Sequence, residues 1–387
     1  MSAPREPGLH LGRSAKRRDA AMNAAASAIF SVSLGMLGVG IPLLALHAGY
    51  NAAQVGLLVA LSAIAQLVTR SVMGMMMRKL PEKIFAIVAA LLIALSCGLI
   101  AASLSLLAFL ASQVAQGMAR ACFFTATHTH AVRVSDNPVR AITNVNLASG
   151  IGGFAGPALA GILLEVSGQV TMTVGMLIGL AGMIPGLLLL HLPPFQFHRY
   201  KGADRAMGQP GVQSGIWMGA VAGSWKGLLD SFVPIVLTFA SQTAATIGLL
   251  VAVANAALFI GTGMASLVRR AGLRGSLVIG VAAAAIGMGT LGPLAGYTVA
   301  AAAMLALSGL GAGVLQTVGP GVAAESVPPD QKGDAITLVG LARAAALFLA
   351  PMGMSGVVLV VPVTGAFVVA SVVMALPTLS TLRKPRH

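Results

Sequence analysis

The sequence predicts an all-α integral membrane protein, in which twelve transmembrane helices form two six-helix bundles related by a pseudo-two-fold repeat. Three observations support this prediction. The chain is 57% hydrophobic and only 9% charged, whereas a soluble protein carries roughly 25% charged residues. Its apolar segments are long enough to cross a bilayer as helices. The two halves of the chain also resemble each other in sequence.

Twelve apolar segments qualify as spans, since about twenty helical residues cross ~30 Å of hydrocarbon. The predicted spans are residues 20–45, 53–77, 84–103, 104–127, 141–164, 168–192, 214–240, 246–268, 275–294, 297–323, 335–360 and 362–382. Glycine and alanine are frequent in all of them, which suits close helix packing in lipid.

The positions of lysine and arginine predict the orientation of the chain. When twelve spans are threaded, the basic residues outside them fall on one side, in the two tails and in alternate connections. Positive charge marks the cytoplasmic side, so both termini are expected in the cytoplasm. The expected membrane is a bacterial-type inner membrane. This placement also explains the net charge of +14 without nucleic acid as a partner.

An internal repeat supports the division into two bundles. Ala141–Pro157 aligns without gaps to Ala335–Pro351, with eight identities in seventeen positions at a constant offset of 194. Gly74–Lys83 likewise aligns with Ala265–Arg274 after the second span of each half. Parallel six-span repeats are typical of transporters that rock about a mid-membrane site.

The predicted domains follow from the spans and the repeat. They are a cytoplasmic basic tail at 1–19, an N-terminal six-helix bundle at 20–192, a cytoplasmic linker at 193–213, a C-terminal six-helix bundle at 214–382 and a cytoplasmic tail at 383–387.

Three motifs resemble those of the major facilitator superfamily, and the resemblance covers the chain from Asp19 to about Leu382. The fourth-span motif R-x-x-Q-G appears as QVAQG, in which Gln116 and Gly117 match and Gln113 replaces the arginine. The resemblance implies a transporter working by alternating access, without a cofactor. The expected partners are the lipid bilayer, a small-molecule substrate and protons as the coupling ion, and the expected state is a monomer.

The fifth-span motif G-x-x-x-G-P-x-x-G-G appears as GGFAGPALAG. The matching residues are Gly152, Gly156, Pro157 and Gly161. In the family this motif accompanies exporters that work by antiport. The residues themselves indicate a close helix approach at the small residues and a bend at Pro157, which lacks an amide hydrogen. An ordinary kinked packing helix is the alternative.

The gate motif G-x-x-x-D-R-x-G-R-K appears as GMMMRKLPEK after the second span. The matching residues are Gly74, Lys79 and Lys83, and Arg78 stands at the acidic position. In the family the acidic residue steadies one state of the gate. A carboxylate of a cytoplasmic connection, from Glu82, Asp136 or Asp334, is a candidate replacement. Topology alone would also produce this basic cluster.

Charged residues inside the spans are candidates for a functional site, because they must face the protein interior, water or a partner. The basic ones are Arg70, Arg120, Lys226 and Arg343, and the one acidic residue well inside a span is Asp230. The three arginines lie ~7 Å to the cytoplasmic side of the span centres, given the helical rise. Arg70 is expected to have a structural role, with its side chain reaching toward the cytoplasmic surface.

Gln113, Gln116 and Arg120 recur at helical spacing and place three polar groups on one face. The resemblance implies that the first, fourth, seventh and tenth spans line a central cavity. The predicted cavity residues are Arg120, Gln113, Gln116, Lys226, Asp230, Trp225, Asn23, Gln316 and Arg343. Arg120 either binds the substrate or pairs with Asp230 as a structural lock, and the two roles are compatible.

The excess of cations in this cavity disfavours organic cations and favours a substrate with acceptor groups. The predicted function is therefore export of a small neutral or anionic organic compound by proton antiport. Asp230 is the predicted proton-coupling residue, although its i,i+4 neighbour Lys226 must release it first. An importer or facilitator of a small organic anion is the alternative, and a membrane-embedded enzyme or lipid-handling protein is a third, which the repeat disfavours.

Two further residue pairs are not expected to form sites. His128 and His130 diverge on a helix and are expected to be solvated at a cytoplasmic end, so no metal site is predicted. Cys97 and Cys122 lie in apolar runs, which predicts neither a disulfide nor a metal site. No phosphate-binding loop is present, so ATP-driven transport is not predicted.

Overall fold

The computed structural model describes residues 12–135, 137–194, 207–328 and 331–382, and these residues are helical almost throughout. The all-α prediction is confirmed. A helix lies at each predicted span, and the helices are Arg13–His47, Ala52–Met76, Glu82–Ala102, Leu106–Val134, Pro138–Leu164, Gly168–Leu188, Pro210–Phe239, Ala244–Val268, Gly272–Leu294, Thr298–Glu325, Lys332–Val357 and Val363–Leu382.

By length and apolar character, ten helical segments of the described chain suffice to cross a membrane. One of these segments, Ala244–Leu294, contains both the eighth and the ninth helix, which meet at the short 3-10 turn Arg269–Ala271. Gly272 follows that turn with a φ of +77°, a conformation that favours glycine. The last helix contributes a shorter apolar stretch, Val363–Leu376.

Several helix ends differ from the predicted ones. The first helix begins at Arg13, so Asp19 belongs to a helix and not to a tail. The seventh begins at Pro210, inside the predicted linker, because proline is favoured in the first turn of a helix. The sixth is interrupted at Gly182, since Pro185 cannot donate a hydrogen bond to the carbonyl four residues back.

Helix packing repeats between the halves of the chain. The contact of the first with the fifth helix recurs between the seventh and the eleventh, and that of the third with the sixth recurs between the ninth and the twelfth. In detail, Gly35 lies against Pro157 in the first half, and Gly227 lies against Pro351 in the second. The sequence repeat therefore corresponds to a repeat of packing.

The halves meet along two equivalent interfaces, between the fifth and eighth helices and between the second and eleventh. We call the side of the protein with the lysine and arginine connections the basic side, and the other the neutral side. Near the neutral side both interfaces are tight. A Cβ at Gly56 would clash with Ser355 Oγ of the eleventh helix, and one at Gly161 would lie 2.5 Å from the Ala244 carbonyl oxygen of the eighth.

Toward the basic side the second and eleventh helices leave space. Gly74 lies eighteen residues after Gly56, or about five turns, and so on the same helix face. A Cβ at Gly74 would meet no atom within 4 Å, and the same holds for Gly340 of the eleventh helix. The second and eleventh helices are thus in contact near the neutral side and apart near the basic side.

We predict that Gly161→Val destabilises the protein, because the branched side chain must push the fifth and eighth helices apart. Overpacking of this kind costs about 1–3 kcal/mol. The matched control is Gly153→Val in the same helix, where a Cβ meets no atom within 4 Å. Thermal unfolding in detergent should show a lower Tm for Gly161→Val alone, and an equal effect of the two substitutions would contradict the tight interface.

Candidate functional site

A buried ion pair connects the two halves of the chain. Arg120 Nη2 of the fourth helix donates to Asp230 Oδ2 of the seventh at 2.9 Å. The two side chains are only 9% and 10% exposed. Because a buried charge without a partner is costly, this pair constrains how the fourth and seventh helices pack. The structure thus places in contact two residues that are 110 positions apart in sequence.

A second cation holds the other oxygen of the same carboxylate. Lys226 Nζ donates to Asp230 Oδ1 at 2.7 Å and to Asn255 Oδ1 at 3.2 Å. Asn255 lies on the eighth helix and was not among the predicted site residues, although a polar residue in the middle of an apolar span is a signal that could have identified it. Both oxygens of Asp230 are therefore bonded to cations.

A narrow cavity of about 10 Å³ lies beside the ion pair, which is room for about one water molecule. Its lining residues come from the first, second, fourth and seventh helices and are Leu37, Gly38, Ile41, Val59, Ser62, Gln113, Gln116, Arg120 and Asp230. The structure thus brings the three polar residues of the fourth span together with Asp230. Gln113 is only 1% exposed, and neither atom of its amide has a hydrogen-bond partner in the described protein. Its amide can offer a donor and an acceptor to a solute.

Three residues predicted to face the cavity have partners elsewhere and are not among its lining residues. Asn23 donates to the carbonyl oxygen of Thr127 at 3.0 Å. The indole of Trp225 donates to Ser308 at 2.9 Å. Each bond connects two helices of the same half. Gln316 likewise donates to Thr262 at 3.2 Å.

Arg70 and Arg343 are exposed by area, yet protein atoms surround them on most sides. Both interact electrostatically with Arg120 and with each other. Neither forms an ion pair with a described residue. Four basic residues lie within the spans, whereas the one mid-span carboxylate, Asp230, pairs with only two of them, Arg120 and Lys226. The region between the halves carries an excess of positive charge.

The gate-motif residues form contacts within the first half. Lys83 donates to the Leu189 carbonyl oxygen at 3.0 Å, while Arg78 and Lys79 are exposed and a Cβ at Gly74 would be free of contacts.

Glu82 is buried and pairs with Arg133 at the end of the fourth helix, and not with the motif's own basic residues. Arg133 also donates to the Pro193 carbonyl oxygen at 2.8 Å. Asp334 lies in the first turn of the eleventh helix, and Asp136 lies outside the described residues. That one of these carboxylates replaces the missing acidic residue of the gate motif stays a prediction.

The second half has a reciprocal contact on the basic side. Arg269, which corresponds to Arg78 in the repeat, donates from Nη1 to Glu325 Oε1 at 2.8 Å. The hydrogen bond from Arg269 lowers the pKa of the Glu325 carboxyl. In the first half the acidic Glu82 pairs with a basic residue at the end of the fourth helix. In the second half the basic Arg269 pairs with an acidic residue at the end of the tenth helix.

The prediction of solvated histidines is wrong for His130. This side chain is only 1% exposed, and its Nε2 lies 2.9 Å from Asp19 Oδ2. The other oxygen of Asp19 accepts from the Leu190 amide at 2.7 Å. The error arises because the first helix starts early and brings Asp19 against the fourth helix. His128 contacts Asn146 at 3.0 Å.

No group of three residues able to hold a metal ion occurs among the described residues. Cys97 and Cys122 are both free and buried.

The fifth-span motif contacts two helices. A Cβ at Gly152 or Gly156 would clash with carbonyl oxygens of the first helix, and Pro157 packs against Gly35. Gly161 faces the eighth helix of the other half. The first part of the motif therefore packs within one half, and its last glycine forms part of the interface between halves.

Comparisons with known proteins agree with the architecture. The model of the Major Facilitator Superfamily matches residues 24–351. No curated protein sequence matches the chain. Similar solved structures include the D323A mutant of the nucleoside transporter NupG, with a TM-score of 0.78 and 13% identity over 95% of this chain and 100% of that one.

Two other solved structures are similar over nearly their whole length. A bacterial homologue of the human lysosomal transporter Spinster, in an inward-facing and unoccupied conformation, has a TM-score of 0.71 and 15% identity, covering 96% of this chain and 95% of that one. A transporter of the POT family has a TM-score of 0.71 and 11% identity, covering 94% and 95%. At such identities the likeness concerns the fold.

We predict that Asp230→Asn destabilises the protein more than Arg120→Gln does. The first substitution leaves two cations without a counter-charge, at a cost of about 3–5 kcal/mol, whereas the second leaves the Lys226–Asp230 pair in place. The double variant should be more stable than Asp230→Asn, since it removes one unpaired cation. Unfolding measured by thermal melts tests this order, and equal stability of the three variants would contradict it.

Proposed function

Because the chain is a multi-pass membrane protein that belongs to the Major Facilitator Superfamily, we propose that it exports a small neutral or anionic organic compound in exchange for protons. It would do so by alternating access, as a monomer in the cytoplasmic membrane with both termini inside. The observation that carries the proposal is the excess of buried positive charge at the contact between the halves, beside an unpaired glutamine amide.

The charges support a substrate rich in acceptor groups. The Arg120 guanidinium is a planar fork of donors that suits carboxylate, phosphate or carbonyl oxygens, and Gln113 adds a neutral donor and acceptor. An organic cation would be repelled by Arg120 and Lys226 and would have only Asp230, already doubly bonded, as a counter-charge. Substrate preference would thus follow from repulsion as much as from attraction.

The open and closed ends of the interfaces support alternating access. If the basic side is cytoplasmic, the described state opens inward and is closed at the Gly56 and Gly161 contacts. Rocking of the bundles, residues 20–192 against 214–382, would open the neutral side. This movement must separate or rearrange the Arg120–Asp230 pair, because the pair joins the two bundles at mid-depth.

Proton coupling is assigned to Asp230, the one acidic residue well inside a span. In antiport the substrate and the proton exclude each other. A neutral substrate that donates a hydrogen bond to the Asp230 carboxylate satisfies this condition, because protonation removes the negative charge and so weakens the acceptor. The fifth-span motif, typical of antiporters, agrees with this direction.

Uptake or facilitated passage of a small organic anion is the second candidate, and the geometry of the ion pair favours it. An anion that binds Arg120 competes with Asp230 for the guanidinium, and protonation of Asp230 weakens that competition. Such an anion would therefore bind together with a proton and move in the same direction. The sign of the response to a pH gradient distinguishes this candidate from antiport.

We predict that Asp230→Asn removes the response of transport to an imposed pH gradient in proteoliposomes while exchange without a gradient persists. The asparagine keeps the size of the side chain but carries no titratable proton. The matched control is Glu325→Gln, which alters an exposed carboxylate at a helix end and should leave the response intact. Flux of anionic, neutral and cationic test compounds provides the measurement.

A gradient response that survives in Asp230→Asn would refute the coupling assignment. A strong preference for lipophilic cations would refute the assignment of substrate class. Insensitivity of the native protein to the gradient would exclude proton antiport.

A further inference from the structure

We propose that Arg70 and Arg343 form an oxyanion-binding site at the open end of the interface between the second and eleventh helices. The site would take the carboxylate or phosphate group of a solute that enters or leaves the central cavity. Its role in transport rests on the proposed function, whereas its ability to bind an oxyanion does not.

The two arginines lie at matching depths on antiparallel helices. The second and eleventh helices are fixed to each other where Gly56 meets Ser355. Arg70 is fourteen residues from Gly56 and Arg343 is twelve from Ser355, which amounts to ~21 Å and ~18 Å along the helices. The depths agree within one turn.

Both arginines face away from the lipid. The exposed apolar residues of the second helix include Leu57, Val68 and Met75, and Arg70 lies about 140–160° around the helix from them at 100° per residue. In the eleventh helix Leu341, Leu349 and Met352 are exposed. Arg343 lies about 120–180° from these residues but only about 20° from Ile336, which is also exposed. Its direction toward the other half is indicated by its electrostatic interaction with Arg70 and Arg120.

Within the described part of the chain the two guanidinium groups have no counter-charge. They interact with each other and with Arg120 as like charges, and neither forms an ion pair with a described residue. An oxyanion between them would turn repulsion into two charge-assisted hydrogen-bonding contacts. Because the arginines belong to opposite halves, one anion would bridge the halves on the open side.

Space free of protein atoms lies next to the pair on the basic side. Gly74 and Gly340 each lie about one turn nearer the basic side than the arginine of their helix, and a Cβ at either would meet no atom within 4 Å. Both arginines are themselves exposed by area. A solute can therefore approach from the basic side without a rearrangement of the helices.

The equivalent interface shows that the fold does not require cations at this position. By the repeat offsets, Ser149 of the fifth helix corresponds to Arg343, and Gly261 of the eighth corresponds to Arg70. Gly261 packs against Leu310 of the tenth helix, and neither equivalent position carries a cation. The arginines are a feature of one interface alone, which favours a ligand over a packing role.

The test is oxyanion binding by the full chain in nanodiscs of phosphatidylcholine. The probes are inorganic phosphate and succinate, titrated at constant ionic strength against chloride, with Tm as the readout. Arg70→Gln and Arg343→Gln should each weaken binding at least tenfold. Arg270→Gln, an exposed arginine on the same side, is the matched control and should bind as the native protein does. Arg70→Lys and Arg343→Lys, which keep the charge, should retain part of the binding.

The outcomes separate the two sources of an oxyanion. Stabilisation by phosphate or succinate that only the two glutamine variants lose supports a site for a soluble anion. If both probes are inactive but phosphatidylglycerol stabilises the native protein and not these variants, the bound oxyanion is a lipid headgroup. Native-like responses of both variants, or no response of the native protein to any of these anions, would overturn the proposal. Flux that fails while binding persists would instead count against the proposed function.

Discussion

The pair between Arg120 and Asp230 is the interaction on which the rest of the structure depends. A guanidinium near the middle of a membrane span is costly, and a buried carboxylate is costly without a partner. Each group provides the counter-charge of the other across the contact between the halves. Lys226 adds a second cation to the same carboxylate, so this one acidic residue determines the charge balance of the whole central region.

The tight glycine contacts hold the two halves together on one side of this ion pair. Close approach at Gly56 and Gly161 holds the halves together near the neutral side, and the ion pair lies between these contacts and the open space near Gly74 and Gly340. Under the proposed alternating access, a relative rotation of the halves that opens one side would close the other and would separate or rearrange the ion pair. Loss of the glycine contacts or of the ion pair would shift the balance between the state open on the basic side and the state open on the neutral side.

Much of this arrangement could be predicted from the sequence. Apolar length located the helices, the offset of 194 predicted the repeated packing, and charge inside the spans identified Arg120 and Asp230 together with the possibility that they pair. These features are local in sequence, or depend only on how deep a residue lies in the membrane.

Side-chain partners could not be predicted in the same way. Asn23 and Trp225 lie on predicted cavity helices but bond to Thr127 and Ser308 of neighbouring helices. Their direction depends on helix rotation, which composition does not determine. The Asp19–His130 contact depends on a helix that starts seven residues earlier than the apolar run does.

The central claim is that the Arg120–Asp230 pair holds the halves in the state that is open on the basic side. The most direct measurement is the distance between spin labels at Gly74→Cys and Gly340→Cys, in a background without the native cysteines, compared with the same labels in the Arg120→Gln/Asp230→Asn double variant. We expect a long distance with the pair intact and a population at shorter distance when the pair is removed, because the open side then closes. An unchanged distance distribution in the double variant would contradict it.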